Sequence, residues 1–139
     1  MLSRVKLASL LAVVLASCGA PAHAVSYGVH TVSIHSERNT GVGAFNNINP
    51  GAYVRLDNGL TFGGYYNSER RVTTYAGFTH TLSKVGLPNA SLSWLAVTGY
   101  GGVKFGPVPS YLVTPHLRSG FVPKTQKGGA HVLNLMYEF

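Results

Sequence analysis

The chain alternates between runs rich in β-branched and aromatic residues and short segments rich in Gly, Asn and Pro. Several of the runs alternate hydrophobic and polar residues, which is the period-two pattern of a β-strand. No segment keeps the 3.6-residue period of an amphipathic helix through its turn-forming residues. The pattern predicts seven or eight strands and no helix. Seven runs carry it, at residues 26–36, 51–56, 60–67, 71–81, 90–100, 110–118 and 130–139.

The segments between the runs are short and rich in turn-forming residues. Asn58 and Gly59 separate two runs, and an Asn-Gly pair favours a hairpin because both residues tolerate positive φ. Strands joined by short turns, without a helical crossover, pair antiparallel, and closing the sheet removes its unpaired edges. We therefore expect an all-β fold, an antiparallel up-and-down meander closed into a barrel of about eight strands. An open two-sheet sandwich of the same strands is the alternative.

The last run carries the most specific pattern for a membrane barrel. One of its two faces ends on an aromatic residue and consists of Leu133, Leu135, Tyr137 and Phe139. The opposite face consists of Val132, Asn134, Met136 and Glu138. This ending resembles the C-terminal assembly signal of bacterial outer-membrane barrels. The final strand of a soluble β-protein would also alternate, and the other runs show no strongly apolar face, so a soluble barrel is the alternative.

The N-terminal segment, residues 1–24, has the pattern of an export signal. Two basic residues precede an apolar run at 7–14, which is shorter than the ~20 residues of a membrane-spanning helix. Cleavage after Ala24 would release residues 25–139 as a single barrel domain. A second interpretation is a lipobox at Cys18, the only cysteine, which would anchor the protein through lipid. Both interpretations predict export, to the outer membrane or alternatively to the periplasm.

Composition excludes several other classes of protein. Of the 139 residues, 45% are hydrophobic, 11% are charged and 17 are Gly. A disordered chain is rich in charge and poor in aromatic residues, and a coiled coil is dominated by Ala, Glu, Lys and Leu, so neither class fits. A single cysteine allows no internal disulfide.

The charge balance indicates the kind of partner. The net charge is +7, and it falls to +5 if Arg4 and Lys6 are removed with the signal segment. A basic surface favours anionic partners, which for an exported protein are anionic lipid and lipopolysaccharide. We therefore expect the outer membrane or lipopolysaccharide as the partner. The basic residues are dispersed, with Arg70 and Arg71 the only adjacent pair, so nucleic-acid binding is not expected.

Three polar segments are expected to meet at one rim, because they end the first strand, precede the second, and join the third to the fourth. A His that takes a proton from a Ser, with a carboxylate orienting the His, is an arrangement for acyl transfer. The candidate catalytic residues are His35, Ser36, Glu37, Ser68 and Glu69. The candidate binding residues are Asn46, Asn47, Asn49, Asn67, Arg70 and Arg71. Asn, Ser and Gly also form turns, so a purely turn-forming role is the alternative.

No motif predicts a metal ion or a cofactor. His30 and His35 are expected on opposite faces of the first strand, and the remaining histidines lack the spacing of metal ligands. Gly41 and Gly43 open no helix that could hold a phosphate group. We therefore expect neither a metal nor a cofactor.

Three motifs lie within residues 30–80: Asn46-Asn47-x-Asn49-Pro50-Gly51, Gly63-Gly64-Tyr65-Tyr66-Asn67-Ser68 and Tyr75-Ala76-Gly77. Together they resemble a pattern found in small exported β-proteins of proteobacteria and their phages, of outer-membrane barrel type. More distantly, the size, signal segment and terminal Phe are similar to those of lipid A-modifying barrels, a palmitoyltransferase and a deacylase, which use His, Ser and a carboxylate at one rim. The chain lacks the deacylase's His-x-Ser-Asn motif and the palmitoyltransferase's N-terminal amphipathic helix, so no catalytic residue is carried over.

Three functions follow from these observations. The preferred one is a small envelope β-barrel of outer-membrane type with a binding or structural role, its polar rim facing a partner. The first alternative is a lipid A-modifying acyl hydrolase or transferase that uses His35 with a nearby Ser. The second is a soluble periplasmic carrier that holds an apolar ligand among Tyr65, Tyr66, Phe78 and Trp94.

Overall fold

Eight strands of the computed structural model, which describes residues 25–37, 39–40, 43–124 and 129–139, form one closed antiparallel barrel. Each barrel strand pairs with its neighbours along the chain, and the first pairs with the last. The predicted all-β, up-and-down barrel is therefore confirmed, and the open sandwich is wrong. The signal segment 1–24 and Cys18 lie outside the described residues, so the export and lipid-anchor interpretations stay predictions.

The barrel strands are β1 (Ser26–His35), β4 (Ile48–Arg55), β5 (Leu60–Tyr66), β6 (Val72–Thr81), β7 (Ala90–Val97), β8 (Lys104–Leu112), β9 (Leu117–Val122) and β10 (Val132–Glu138). Two short strands, β2 (Asn39–Thr40) and β3 (Gly43–Ala44), pair with each other in the first loop. A single 3₁₀ turn, Ser83–Val85, joins β6 to β7, where no helical turn is predicted from the sequence. The predicted hairpin at Asn58 and Gly59 is confirmed between β4 and β5, with Gly59 at a φ of 90°.

The predicted runs 51–56 and 110–118 differ from the observed strands in ways that matter for the barrel wall. The second barrel strand begins at Ile48 rather than at residue 51, so it includes Pro50. The run 110–118 is not one strand, because a turn at 113–116 divides it between β8 and β9. The start of β8 was not predicted, because it contains Pro107 and Pro109 and proline is depleted in strands.

These prolines are tolerated because β8 has one incompletely paired edge. Strand β8 pairs with β7 over eight residue pairs but with β9 over only three, from Ser110 to Leu112. Pro107 and Pro109 lie outside that short pairing. Proline lacks the N–H of a ladder hydrogen bond and is found at such edges. We call the whole line along which β8 meets β9, with its paired and unpaired parts, the β8–β9 seam.

The barrel has two different ends. At the loop end lie the described segments 36–37, 39–40, 43–47, 67–71, 98–103, 123–124 and 129–131. At the opposite end, which we call the terminal end, lie the turns 56–59, 82–89 and 113–116 together with the start of β1 and the end of β10. The three segments predicted to share one rim all lie at the loop end.

Most fully buried side chains are polar, and many large apolar side chains are exposed. Among the described residues, the buried hydrophobic ones are only Tyr53, Tyr75 and Ala130. The buried polar ones are Ser33, Asn49, Thr61, Asn67, Thr73, Thr79, Ser91, Ser93, Arg118 and Glu138. Large apolar side chains such as Ile34, Phe78 and Phe105 are 51–68% exposed on the outer face. Within the described ranges, no helix has the length and hydrophobicity needed to cross a membrane.

Candidate functional site

His35, at the end of β1, lies at the loop end in a fixed orientation. Its ring stacks on Phe45, with ring centroids 4.5 Å apart and planes 5° from parallel. Its Nδ1 lies 2.9 Å from the side-chain oxygen of Asn47, an atom that only accepts, so Nδ1 carries the proton. The other nitrogen, Nε2, is therefore an acceptor. It is buried and has no hydrogen-bond partner among the described residues.

The other candidate catalytic residues of the first loop have partners of their own. The hydroxyl of Ser36 accepts a hydrogen bond from the backbone N–H of His131 at 3.0 Å. The carboxylate of Glu37 forms an ion pair with Lys124 at 2.8 Å. Both side chains are exposed. Their contacts tie the first loop to the last one.

Ser68 and Glu69 lie in the tight turn between β5 and β6, and both line the interior cavity described below. Within the described part of the chain, no hydrogen bond links His35 to Ser36, Ser68 or either candidate carboxylate. The structure thus brings these residues to the same end of the barrel without forming a Ser-His-carboxylate relay. The catalytic role stays a prediction.

Asn67 organises the turn that carries Ser68 and Glu69. Its side chain is fully buried. Its Nδ2 donates to the Thr73 hydroxyl at 2.9 Å and to the Gly99 carbonyl at 3.0 Å. Its Oδ1 accepts the backbone N–H groups of Glu69 and Arg71, both at 2.9 Å. All of the hydrogen-bonding capacity of this amide is thus used within the protein.

Asn46 and Asn49 anchor the first loop in a similar way. Asn46 Nδ2 donates to the Ile48 carbonyl at 2.6 Å. Asn49 is buried, donates to the Tyr66 carbonyl at 3.0 Å, and accepts a hydrogen bond from the hydroxyl of Ser33. These contacts hold the loop against β5. A binding role for these amides stays a prediction.

The two candidate arginines lie at the surface of the loop end. Arg70 is exposed, has a positive φ of 60°, and reaches the Ala44 carbonyl at 3.3 Å through Nη1. Arg71 is also exposed. Of the candidate binding residues, these two present charge outward.

An ion cluster that sequence analysis did not single out fills the terminal end of the interior. Glu138 Oε1 accepts hydrogen bonds from Arg118 Nε at 2.7 Å, Arg55 Nη2 at 2.8 Å and the Tyr53 hydroxyl at 2.6 Å. The three charged side chains are 10–14% exposed. Arg118 also donates to Ser110 at 3.1 Å. The available signal was a charged residue at an inward position of three different strands.

Aromatic side chains fill the half of the interior formed by β1, β4, β5 and β6. The ring centroids of His30 lie 4.9–5.7 Å from those of Tyr53, Tyr65 and Tyr75. His30 Nε2 lies 2.7 Å from the Tyr75 hydroxyl, and the hydroxyls of Tyr65 and Tyr100 are 3.0 Å apart. Burial raises the pKa of Tyr100, in the loop 98–103, so its hydroxyl stays protonated.

The expectation that His30 and His35 lie on opposite faces is wrong. A β-bulge between His30 and Val32 adds one residue to β1 relative to its partners. The bulge reverses the inward-outward alternation after it. Both histidines therefore line the same interior cavity.

The interior contains a cavity of about 230 Å³ that is bordered by residues of every barrel strand. Where β7–β10 line it, the wall includes Leu95, Val97, Val108, Val122, Val132 and Met136. Phe105 and Pro107, which alternation places on the outer face, also border this cavity, because the barrel wall is unpaired beside them at the β8–β9 seam. The cavity thus reaches the outer face there.

The aromatic residues proposed for an apolar carrier do not meet at this cavity. Tyr65 lines it. Tyr66, Phe78 and Trp94 lie on the outer face and are 38–51% exposed. That proposed set is therefore wrong, although the interior does contain an apolar-walled space.

No group of three or more His, Cys, Asp or Glu side chains in the described ranges has an arrangement that could hold a metal ion. No protein-family model matches the sequence, and no curated protein is significantly similar to it.

Proposed function

We propose that this protein is a β-barrel of a bacterial outer membrane, inserted with its outer face in lipid, and that its role is to bind an envelope component or to support the envelope. One observation carries the proposal: most of the fully buried side chains are polar and hydrogen-bonded, while many large apolar side chains are exposed on the outer face. Soluble monomers rarely expose apolar patches larger than a few hundred Å². A membrane-spanning barrel requires an apolar band on the outside.

Aromatic residues near the terminal end support the same placement. Tyr27 at the start of β1, Tyr111 at the end of β8 and Tyr137 near the end of β10 all lie on the outer face and are 42–51% exposed. Tyrosine is enriched at the boundary between lipid and water, because its ring is apolar and its hydroxyl is polar. These three residues fit one aromatic girdle of a membrane barrel.

The narrow interior favours a binding or structural role over a pore. An eight-stranded barrel has an interior about wide enough for side chains alone. Here the ion cluster of Arg55, Arg118 and Glu138 occupies the terminal end. The aromatic side chains around His30, described above, occupy half of the cross-section. Neither arrangement leaves a wide aqueous channel.

Replacing Ala76 with Arg tests the lipid placement. Ala76 lies near the middle of β6, on the outer face, and is exposed, so the substitution removes no core packing. We expect the free energy of unfolding in lipid vesicles to fall by roughly 2–4 kcal/mol, because a charge at the bilayer midplane loses its hydration. Denaturant titration of the folded, vesicle-bound protein measures this change.

Val85→Arg is the matched control, because Val85 is 71% exposed in the turn at the terminal end, outside the apolar band. Its expected cost is below about 1 kcal/mol. Equal effects of the two substitutions would contradict insertion. Recovery of the mature chain from an osmotic-shock fraction without detergent would overturn the proposal in favour of a soluble periplasmic barrel.

The loop end has the charge expected of a surface that binds lipopolysaccharide. Among the described residues of this end, the basic side chains of Arg70, Arg71, Lys104 and Lys124 outnumber the acidic ones, and Lys124 forms an ion pair with Glu37. Clustered cations bind phosphate groups through charge-assisted hydrogen bonds. In an outer-membrane protein the longer loops face the lipopolysaccharide side.

The double substitution Arg70→Gly with Arg71→Ala is expected to weaken lipopolysaccharide binding roughly tenfold, because two charge-assisted contacts are removed. Gly suits position 70, whose φ is positive, so the backbone of the turn is not strained. Affinity is measured by titrating lipopolysaccharide into the detergent-solubilised protein at two salt concentrations. Lys84→Ala, which removes an exposed cation at the terminal end, should leave the affinity unchanged. The same loss in both variants would mean that net charge, rather than the loop end, determines binding.

A further inference from the structure

The two halves of the barrel interior differ in how much space their side chains fill. A Cβ built at Gly28, in the aromatic half, would overlap the ring of Tyr53. A Cβ built at Gly106, on β8, meets no atom within 4 Å. Cores of folded proteins contain few voids larger than a water molecule. The space beside Gly106 is therefore an open volume that the chain itself leaves unfilled.

The chemistry of this cavity selects an apolar occupant. Most of the accessible lining is apolar, from aliphatic side chains of β7–β10 on one side and from Tyr65 and Tyr75 on the other, while polar residues such as Asn134 and Arg118 line the rest. Cavities with mostly apolar walls take up apolar molecules. The volume of about 230 Å³ is smaller than the roughly 300–1,000 Å³ of sites for drug-sized ligands, so it suits a single short chain.

A second observation specifies the polar end of the occupant. His35 borders the cavity at the loop end, and its Nε2 is a buried acceptor without a partner. Phe45 and Asn47 hold the ring in place. A buried acceptor that finds no donor is costly, so a donor brought by a ligand would be favoured there.

We propose that this cavity binds one short, unbranched alkyl chain whose head group carries a hydrogen-bond donor, with the head at His35 Nε2 and the chain along the β7–β10 wall. From the level of Val132 to that of Met136 the cavity is about 10 Å deep, given ~3.3 Å per residue and a tilt of about 40°, which accommodates roughly eight extended carbons. The proposal concerns the interior and holds whether the outer face lies in lipid or in water.

The probe is 1-octanol, titrated into the folded protein in a detergent with a rigid steroid tail that cannot enter the cavity. The readout is the ¹³C-methyl NMR signal of Met136, which lines the cavity and is, besides Met1, the only methionine in the sequence. We expect a saturable shift, with weaker binding for chains much longer or shorter than eight carbons. Octyl methyl ether, which has no donor, should bind about tenfold more weakly than octanol.

Gly106→Phe fills the cavity and should abolish the shift, whereas Ala52→Phe adds the same bulk to the outer face of β4 and should leave binding intact. His35→Phe should remove the difference in binding affinity between octanol and octyl methyl ether. The comparison of the two ligands on the wild-type protein remains decisive if Gly106→Phe does not fold. Three outcomes would each overturn the proposal. They are a Met136 shift that rises linearly up to the solubility limit of octanol, octanol binding by Gly106→Phe as tight as by the wild type, and equal affinities of the wild type for octanol and its ether.

Discussion

Replacing Glu138 with Gln is expected to lower the free energy of unfolding by about 3–5 kcal/mol, the cost of removing one partner from a buried ion pair. Glu138 is the anion that Arg55 and Arg118 share, and all three side chains are 10–14% exposed. Gln keeps an oxygen that can accept the hydrogen bond from Tyr53, but it removes the charge. Two guanidinium groups would then share the terminal end of the interior without an anion. Denaturant titration in detergent or lipid vesicles measures the loss.

The matched control is Glu69→Gln, which neutralises an exposed carboxylate in the turn between β5 and β6. Its effect should stay within about 0.5 kcal/mol, as for most surface substitutions. A loss below about 1 kcal/mol for Glu138→Gln would mean that water inside the barrel compensates the arginines, and that the cluster does not stabilise the fold.

Replacing Asn67 with Ala is expected to cost a comparable amount, about 3–5 kcal/mol, since one side chain satisfies four hydrogen-bonding groups. After the substitution, the N–H groups of Glu69 and Arg71 and the carbonyl of Gly99 lose their partner. Thermal or denaturant unfolding of the variant measures the loss.

Asn47→Ala is the control for Asn67→Ala, because Asn47 is exposed and its side chain makes a single hydrogen bond, to His35, within the described part of the chain. We expect it to cost less than about 1 kcal/mol. If Asn67→Ala were as mild as this control, the turn would not depend on its buried amide. If Asn67→Ala folded normally but bound lipopolysaccharide less well, the binding role predicted for Asn67 would gain support.

The strand pattern was readable from the sequence wherever local chemistry determines it. The predicted hairpin forms at Asn58 and Gly59 because the turn needs a residue with positive φ, and Gly59 takes that position with a φ of 90°. The alternation of the last strand was also readable, with Leu133 on the outer face and Glu138 inside. Strand β8 could not be predicted from the sequence, because Pro107 and Pro109 are compatible with a strand only where the neighbouring β9 does not pair.

The interior was harder to predict because its contacts join residues far apart in sequence. Glu138 meets Arg55 across 83 positions, and nothing local to either residue indicates the other. The bulge in β1 reverses the face on which His35 lies, and a one-residue register change of this kind moves every later side chain to the other face. Residues at the predicted rim do share the loop end, and the contacts of Asn67 fit the turn-forming alternative, because its amide bonds the backbone of its own turn and two neighbouring groups.

The short pairing of β8 with β9 also determines how the wall would come apart. Three residue pairs hold these strands together, against eight between β7 and β8. Proteins open locally where the fewest hydrogen bonds must break, and such openings occur well below the energy of global unfolding. The loop-end half of the β8–β9 seam is thus the place where transient opening costs least, and amide protons near Phe121 and Val122 would exchange with solvent before those in the middle of β6. A barrel that opens locally at this short pairing can admit a ligand to its interior while the other strands stay paired.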